Sequence, residues 1–200
     1  MRTTLFTCLV IGSLMSCKGI SGGEDHGSDA RETAEFIKMG DSLSKITFDT
    51  LRTVLVKAIG QKGLAGALAF CNVQATAVTS TYSSSQATIS RVADKNRNTR
   101  NGLSLFDEEA WEKYAGIAAI KGDLKPMVVF RNTQAHYYKP ILLQSMCLNC
   151  HGAPGKEIPA AVLRVLDSLY PADKARGYKE GELRGMWHIV FPRQTERTGK

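Results

Sequence analysis

Long apolar runs are missing from this chain. The run Leu5 to Met15 falls short of the roughly 20 residues a membrane-spanning helix needs, and no other segment reads as a span. Clustered charge is missing too. The net charge is +7, but lysines and arginines are scattered and no nucleic-acid motif is present, so no nucleic acid is expected as a partner. Cysteine is scarce, with five in 200 residues, too few for a disulfide framework. No internal repeat or long low-complexity stretch interrupts the chain, which excludes a solenoid and fits one domain. No acid–base pair is evident, so the sequence gives no ground for an enzyme.

What is present begins with a leader. Arg2 supplies a basic start and Leu5 to Met15 an apolar core, and Leu14-Met15-Ser16-Cys17 resembles a bacterial lipobox. Residues 1–16 read as a lipoprotein signal peptide, with Cys17 the lipidated residue. An ordinary signal peptide with an incidental Cys17 is the competing reading. Residues 17–31, rich in glycine, serine and acids, read as a flexible tether. His26 falls in this tether and reads as a solvated side chain. The expected location is extracytoplasmic, anchored by lipid to a bacterial membrane on its periplasmic side or at the cell surface. The folded domain is expected over 32–200, with Cys71, Cys147 and Cys150 as its cysteines.

Cys147-Leu148-Asn149-Cys150-His151 reads C-x-x-C-H, the signature of c-type haem attachment. Two thiols at this spacing can form thioethers to one haem, and the next residue places an imidazole under the iron. The cysteines could instead form a disulfide, a redox pair or half a zinc site. A redox pair would open a helix in a βαβ unit, which is not evident here. A structural zinc needs four ligands, and no second paired spacing exists. One covalent haem c is the expected cofactor.

The periodicities give an order of elements. Apolar residues at three- and four-residue steps predict a long helix over Glu32 to Ile59. Gly60 and Gly63 break it, and Leu64 to Val78 forms a second helix carrying Cys71. Further helices are expected at Phe106 to Ile120 and Ala160 to Tyr170. Strands are expected at Ala87 to Val92, Met127 to Phe130, Ala135 to Leu142 and Leu183 to Phe191. Pro140 belongs at an edge or a strand end. Helices first and an antiparallel sheet later imply an α+β fold.

Several segments in this order resemble a bacterial family of single-haem proteins. They are Ala69-Phe70-Cys71, the Arg91…Arg97-Asn98…Asn101 stretch ahead of Trp111-Glu112, Tyr137-Tyr138-Lys139-Pro140-Ile141 leading into the haem motif, and Gly181-Glu182-Leu183-Arg184-Gly185. The family was long a domain of unknown function and is described as c-type haem proteins with a PAS-like fold. The resemblance covers residues 35–192. This chain departs from its pattern at Val92-Ala93-Asp94 and Thr99. The resemblance implies that Cys71 reaches the iron opposite His151. On the residues alone, His136, His188, Met39, Met127, Met146 and Met186 are rivals, or Cys71 is a small core residue. Arg91 and Arg97 are candidate partners of haem propionates, because guanidinium matches carboxylate. Lys95 and Arg100 share that basic stretch. Tyr137 and Tyr138 alternate across a strand, so one could pack on haem. Trp111 reads as core.

Two functions fit. One is an exported monohaem c-type cytochrome in extracytoplasmic electron transfer or redox sensing. The other is a haem-based gas or ligand sensor that passes a state change onward. Either requires a redox or signalling protein as partner.

Overall fold

A computed structural model describes residues 26–193, apart from the side chains of residues 26–28, 71 and 73. The expected leader, Cys17 and residues 18–25 of the tether lie outside the described residues. The rest of the tether is helical, because helix α1 (His26–Thr81) already starts there. Two features favour this. Asp29 stands in the first turn, where the helix dipole stabilises an anion. Glu32 accepts a hydrogen bond from Arg193 Nε at 2.7 Å, tying the start of α1 to a residue 161 positions later. Gly63 interrupts α1 with φ +67° and ψ 176°, a conformation that costs glycine little. The expected break therefore falls at Gly63, while Gly60 remains helical.

Strand β1 (Thr88–Val92) follows, then a basic loop with a 3-10 turn over Thr99–Asn101, then α2 (Leu105–Ala119). Strands β2 (Met127–Arg131) and β3 (Gln134–Leu142) form a hairpin. Next come the short α3 (Leu148–His151), α4 (Ala160–Leu169) and β4 (Leu183–Pro192). The four strands form one antiparallel sheet in the order β1-β4-β3-β2. This is the expected α+β class. Pro140 lies past the end of β2, where β3 keeps only β4 as a partner, so its missing N–H costs no ladder bond there.

Strand alternation sends residues to two layers. On one face Tyr137, Trp187, Ile189 and Phe191 pack against Phe36, Leu43, Phe48 and Leu51 of α1. On the other, Tyr138 and Met186 pack against Ala110 and Tyr114 of α2. Beyond the Gly63 break, Leu64 and Leu68 pack on Ile158, Val162 and Leu166, joining α1 to α4.

Helix and sheet come closest at Gly40. A Cβ there would run into the Tyr137 ring. The Tyr137 hydroxyl donates to Asp41 Oδ1 at 2.8 Å, and Lys139 Nζ donates to the same oxygen at 2.6 Å. Gly40→Ala should therefore destabilise despite its better helix propensity, by about 1–3 kcal/mol as an overpacked core. Thermal unfolding checks this, with a loss of roughly 2–4 °C per kcal/mol for a domain of this size.

Candidate functional site

Cys147 closes a 3-10 turn over Ser145–Cys147, and α3 continues it for one turn to His151. Positions i, i+3 and i+4 share a helical face, so the two thiols and the imidazole open on the same side. All three line a cavity of about 340 Å³, a size suited to a small molecule or cofactor. Leu51, Leu55, Ile59, Leu64 and Leu68 of α1 give the cavity an aliphatic wall. Arg52, Arg91, Arg97 and Arg184 line it as well, and no carboxylate does among the described residues.

A strap after α4 fixes the imidazole. His151 Nδ1–H donates to the Ala175 carbonyl at 2.8 Å, which leaves Nε2 as the nitrogen free to ligate. Tyr178 N–H donates to the His151 carbonyl at 2.9 Å and Gly177 N–H to that of Gly152 at 2.8 Å. Burial, and then the Arg97 and Arg184 charges, push the His151 pKa down to about 3. The ring is thus neutral at ordinary pH, as a ligand must be.

Asp173 anchors the strap. Its side chain is 0% exposed and lies 3.2 Å from Arg97 Nη2. It accepts from Ala175 N–H at 2.9 Å and Arg176 Nε–H at 2.8 Å. Burial alone would raise its pKa, but the Arg176, Ala175 and Arg97 interactions outweigh burial and hold it below the ordinary value. Arg97 Nη2 also donates to the carbonyls of Cys150, at 2.5 Å, and Ala175, at 3.2 Å.

Arg184 is the other buried cation. Its Nη1 donates to the Lys95 carbonyl at 3.0 Å, and its guanidinium lies 5.6 Å from the Tyr178 ring centroid. Burial holds its pKa below the usual guanidinium range. The Nε atoms of Arg97 and Arg184 are buried and without a hydrogen-bond partner among the described residues. Unmet donors of this kind are costly, and an anionic group in the cavity would meet them.

A family model described as Tll0287-like matches residues 26–192. The chain belongs to the Tll0287-like family. Among solved structures, the cyanobacterial heme-protein Tll0287 superposes with a TM-score of 0.54 at 22% identity, covering 79% of this chain and 98% of that one. At that identity the likeness establishes the fold. No curated protein matches the chain.

Within this Tll0287-like fold, the sequence candidates divide. Cys147, Cys150, His151, Arg91 and Arg97 meet at the cavity, and Met146 lines it too. Cys71 falls on α1 with its side chain outside the described residues. Tyr137 and Tyr138 do not line the cavity. Tyr137 is held by Asp41 on α1, and Tyr138 stacks on His188 with ring centroids 4.6 Å apart. His136 and His188 are not ligands to this cavity, because alternation turns them to the α2 face. There His136 Nδ1 meets His188 Nε2 at 2.9 Å, and His188 Nδ1 lies 2.9 Å from Asp107 Oδ1. An acid–base cluster absent from the sequence reading thus exists, away from the cavity. Met127 and Met186 pack on the α2 side and Met39 is exposed. Trp111 packs against the α2-side core, as expected. Asp173, Ala175 and Arg184 were missed, and only the Gly181–Gly185 turn marked their neighbourhood.

Asp173→Asn should cost about 3 kcal/mol, since it strands a buried guanidinium. The folded pKa of Asp173 lies below its unfolded value of 3.8, so the unfolded state binds the extra proton. The stabilisation is then complete above that value and is lost as pH falls through the lower folded pKa. Denaturant unfolding across this acid range should show wild type and variant converging as pH drops.

Proposed function

We propose that this chain carries one haem, held by thioethers from Cys147 and Cys150 with the His151 imidazole as an axial ligand. The observation that carries the reading is the meeting of Cys147, Cys150 and a neutral, oriented imidazole in one cavity. The rest of the lining fits the same group. The aliphatic wall of α1 suits an apolar macrocycle, and Arg97 and Arg184, whose Nε donors are unmet among the described residues, suit its carboxylates. A cyanobacterial heme-protein with this fold supports it further. When bound, the group supplies a one-electron iron couple.

The protein residues set the conditions for that couple. Ala175 fixes the His151 tautomer, Arg97 braces the Cys150 carbonyl, and buried guanidinium charge favours the more negative, reduced state. Cys71 is the second axial ligand in this proposal. The support is the family resemblance of Ala69-Phe70-Cys71 and the position of Cys71 in the chain, between Leu68 and Ala75, which both line the cavity.

The activity we infer is one-electron transfer or redox sensing outside the cytoplasm, with a protein partner receiving the electron or the signal. Export and a lipid anchor at Cys17 rest on the lipobox and the polar stretch behind it. A second lipid chain or a further contact would be needed for stable attachment.

Protein made with a cytochrome c maturation system should retain one haem after acid-acetone extraction, read by mass spectrometry. A haem-free mass would overturn the proposal. Cys71→Ala should keep the haem but change the ferric electron paramagnetic resonance spectrum and raise the midpoint potential, since thiolate stabilises iron(III). An unchanged spectrum would move the second ligand to Met146. Carbon monoxide binding by the ferrous wild type would favour a gas sensor over a carrier. Cys17→Ser should shift the protein from the membrane to the soluble fraction, with wild type requiring detergent for release.

A further inference from the structure

The Asp107–His188–His136 chain lies outside the cavity and has no role in the function proposed above. Asp107 opens α2, where its Oδ2 accepts from Ser104 N–H at 2.8 Å and from the Ser104 hydroxyl at 2.6 Å. Its Oδ1 lies 2.9 Å from His188 Nδ1. His188 is held in place on both sides. Tyr138, its cross-strand neighbour, stacks on it, and the Ser90 hydroxyl donates to its backbone carbonyl at 3.2 Å. His136 Nδ1 closes the chain against His188 Nε2 at 2.9 Å. His136 is buried, 7% exposed, and stands at the end of the chain.

The hydrogen-bond chemistry of this chain limits it to one extra proton. With both rings neutral, His188 Nδ1–H faces the carboxylate and His136 Nδ1–H donates to the His188 Nε2 lone pair. One proton added at His136 Nε2 lets the shared proton move to His188 Nε2. Both contacts survive, and the cation then rests beside Asp107. A second proton would leave two N–H groups facing each other across 2.9 Å, with no lone pair between them. The groups facing the pair agree with this capacity. Asp107 of α2 favours the charged form. Arg131 of β2 opposes it, and its own charge is met by Glu109 of α2 at 2.5 Å. Tyr138 of β3 stays neutral, since burial and Asp107 push its pKa well above the ordinary range. Burial, then the charges of His188 and Arg131, lower the His136 pKa from 6.5.

The position of the chain connects it to the cavity. Trp187 lines the cavity and His188 is the next residue of β4. Successive residues point to opposite faces, so the cavity and the chain lie back to back across a single layer of sheet. Charge is weakly screened across such a dry layer.

We infer that Asp107, His188 and His136 form a one-proton acceptor site coupled through the sheet to the oxidation state of the group in the cavity. This rests on the redox reading of the cavity. In the balanced step, an external one-electron donor reduces iron(III) to iron(II), and water supplies one proton to His136 Nε2. Added negative charge raises the proton affinity of the pair, so its pKa is higher in the reduced protein. Between the two pKa values the midpoint potential falls as pH rises.

The test is a potentiometric titration of haem-loaded protein from neutral pH down into the acid range, below the ordinary imidazole value from which the His136 pKa is lowered, alongside His136→Phe, which keeps a ring at the same place. Imidazole nitrogen resonances of the wild type are followed by nuclear magnetic resonance in both oxidation states. The expected result is one sloping window in wild type, a flat or clearly shallower profile in His136→Phe, and a resonance titration displaced to higher pH on reduction. An unchanged slope in the variant overturns the inference. A reversible wave with no slope, or imidazole resonances blind to oxidation state, overturns the coupling and leaves the redox reading standing. Absence of any reversible one-electron wave overturns both. If His136→Phe does not fold, the displacement of the wild-type resonances decides alone.

Discussion

One buried carboxylate, that of Asp173, governs the geometry of the site. It pairs with Arg97, receives the Ala175 N–H and holds Arg176. The Ala175 carbonyl then fixes the His151 ring, and Arg97 reaches the Cys150 carbonyl. The imidazole and one cysteine are thus positioned by a strap more than twenty residues later in the chain. Metal ligands commonly owe their tautomer to such outer partners. Here the outer partner is itself braced by a charge that burial would otherwise disfavour.

The four-stranded sheet serves two chemistries by alternation alone. Arg91, Gly185 and Trp187 face the cavity on the α1 side, while His136, Tyr138 and His188 face α2. Between them lies one thickness of backbone. Gly63 breaks helix α1, with Leu64 and Leu68 packed toward α4 while Phe48 and Leu51 stay on the sheet.

Much of this was legible from sequence, for physical reasons. C-x-x-C-H is a local code, so one turn of helix places its three groups without help from distant residues. Strong period-2 and period-3.6 patterns located the strands and helices to within a few residues. The break in α1 was signalled by glycine. Residues 26–31 were placed in the tether because their small and acidic side chains suggested solvation, whereas Arg193, far away in the chain, pairs with Asp29 and Glu32 at the start of the helix. Strand alternation suggested that one of Tyr137 and Tyr138 packs on haem, but neither lines the cavity. The histidine pair was invisible for a similar reason. His136, His188 and Asp107 come from β3, β4 and α2, and only strand register brings them together. Arg184 and Asp173 likewise gain meaning from burial, which no local pattern reveals.

The central claim is that one iron sits in the cavity between α1, the sheet and the haem motif, bound by His151. Diffraction from crystals of the haem-loaded protein, collected at the iron absorption edge, tests it most directly. The account predicts a single anomalous peak within bonding distance of His151 Nε2, with continuous density from the macrocycle to Cys147 and Cys150. A peak beside His136 or His188, or no iron in the cavity, would contradict it.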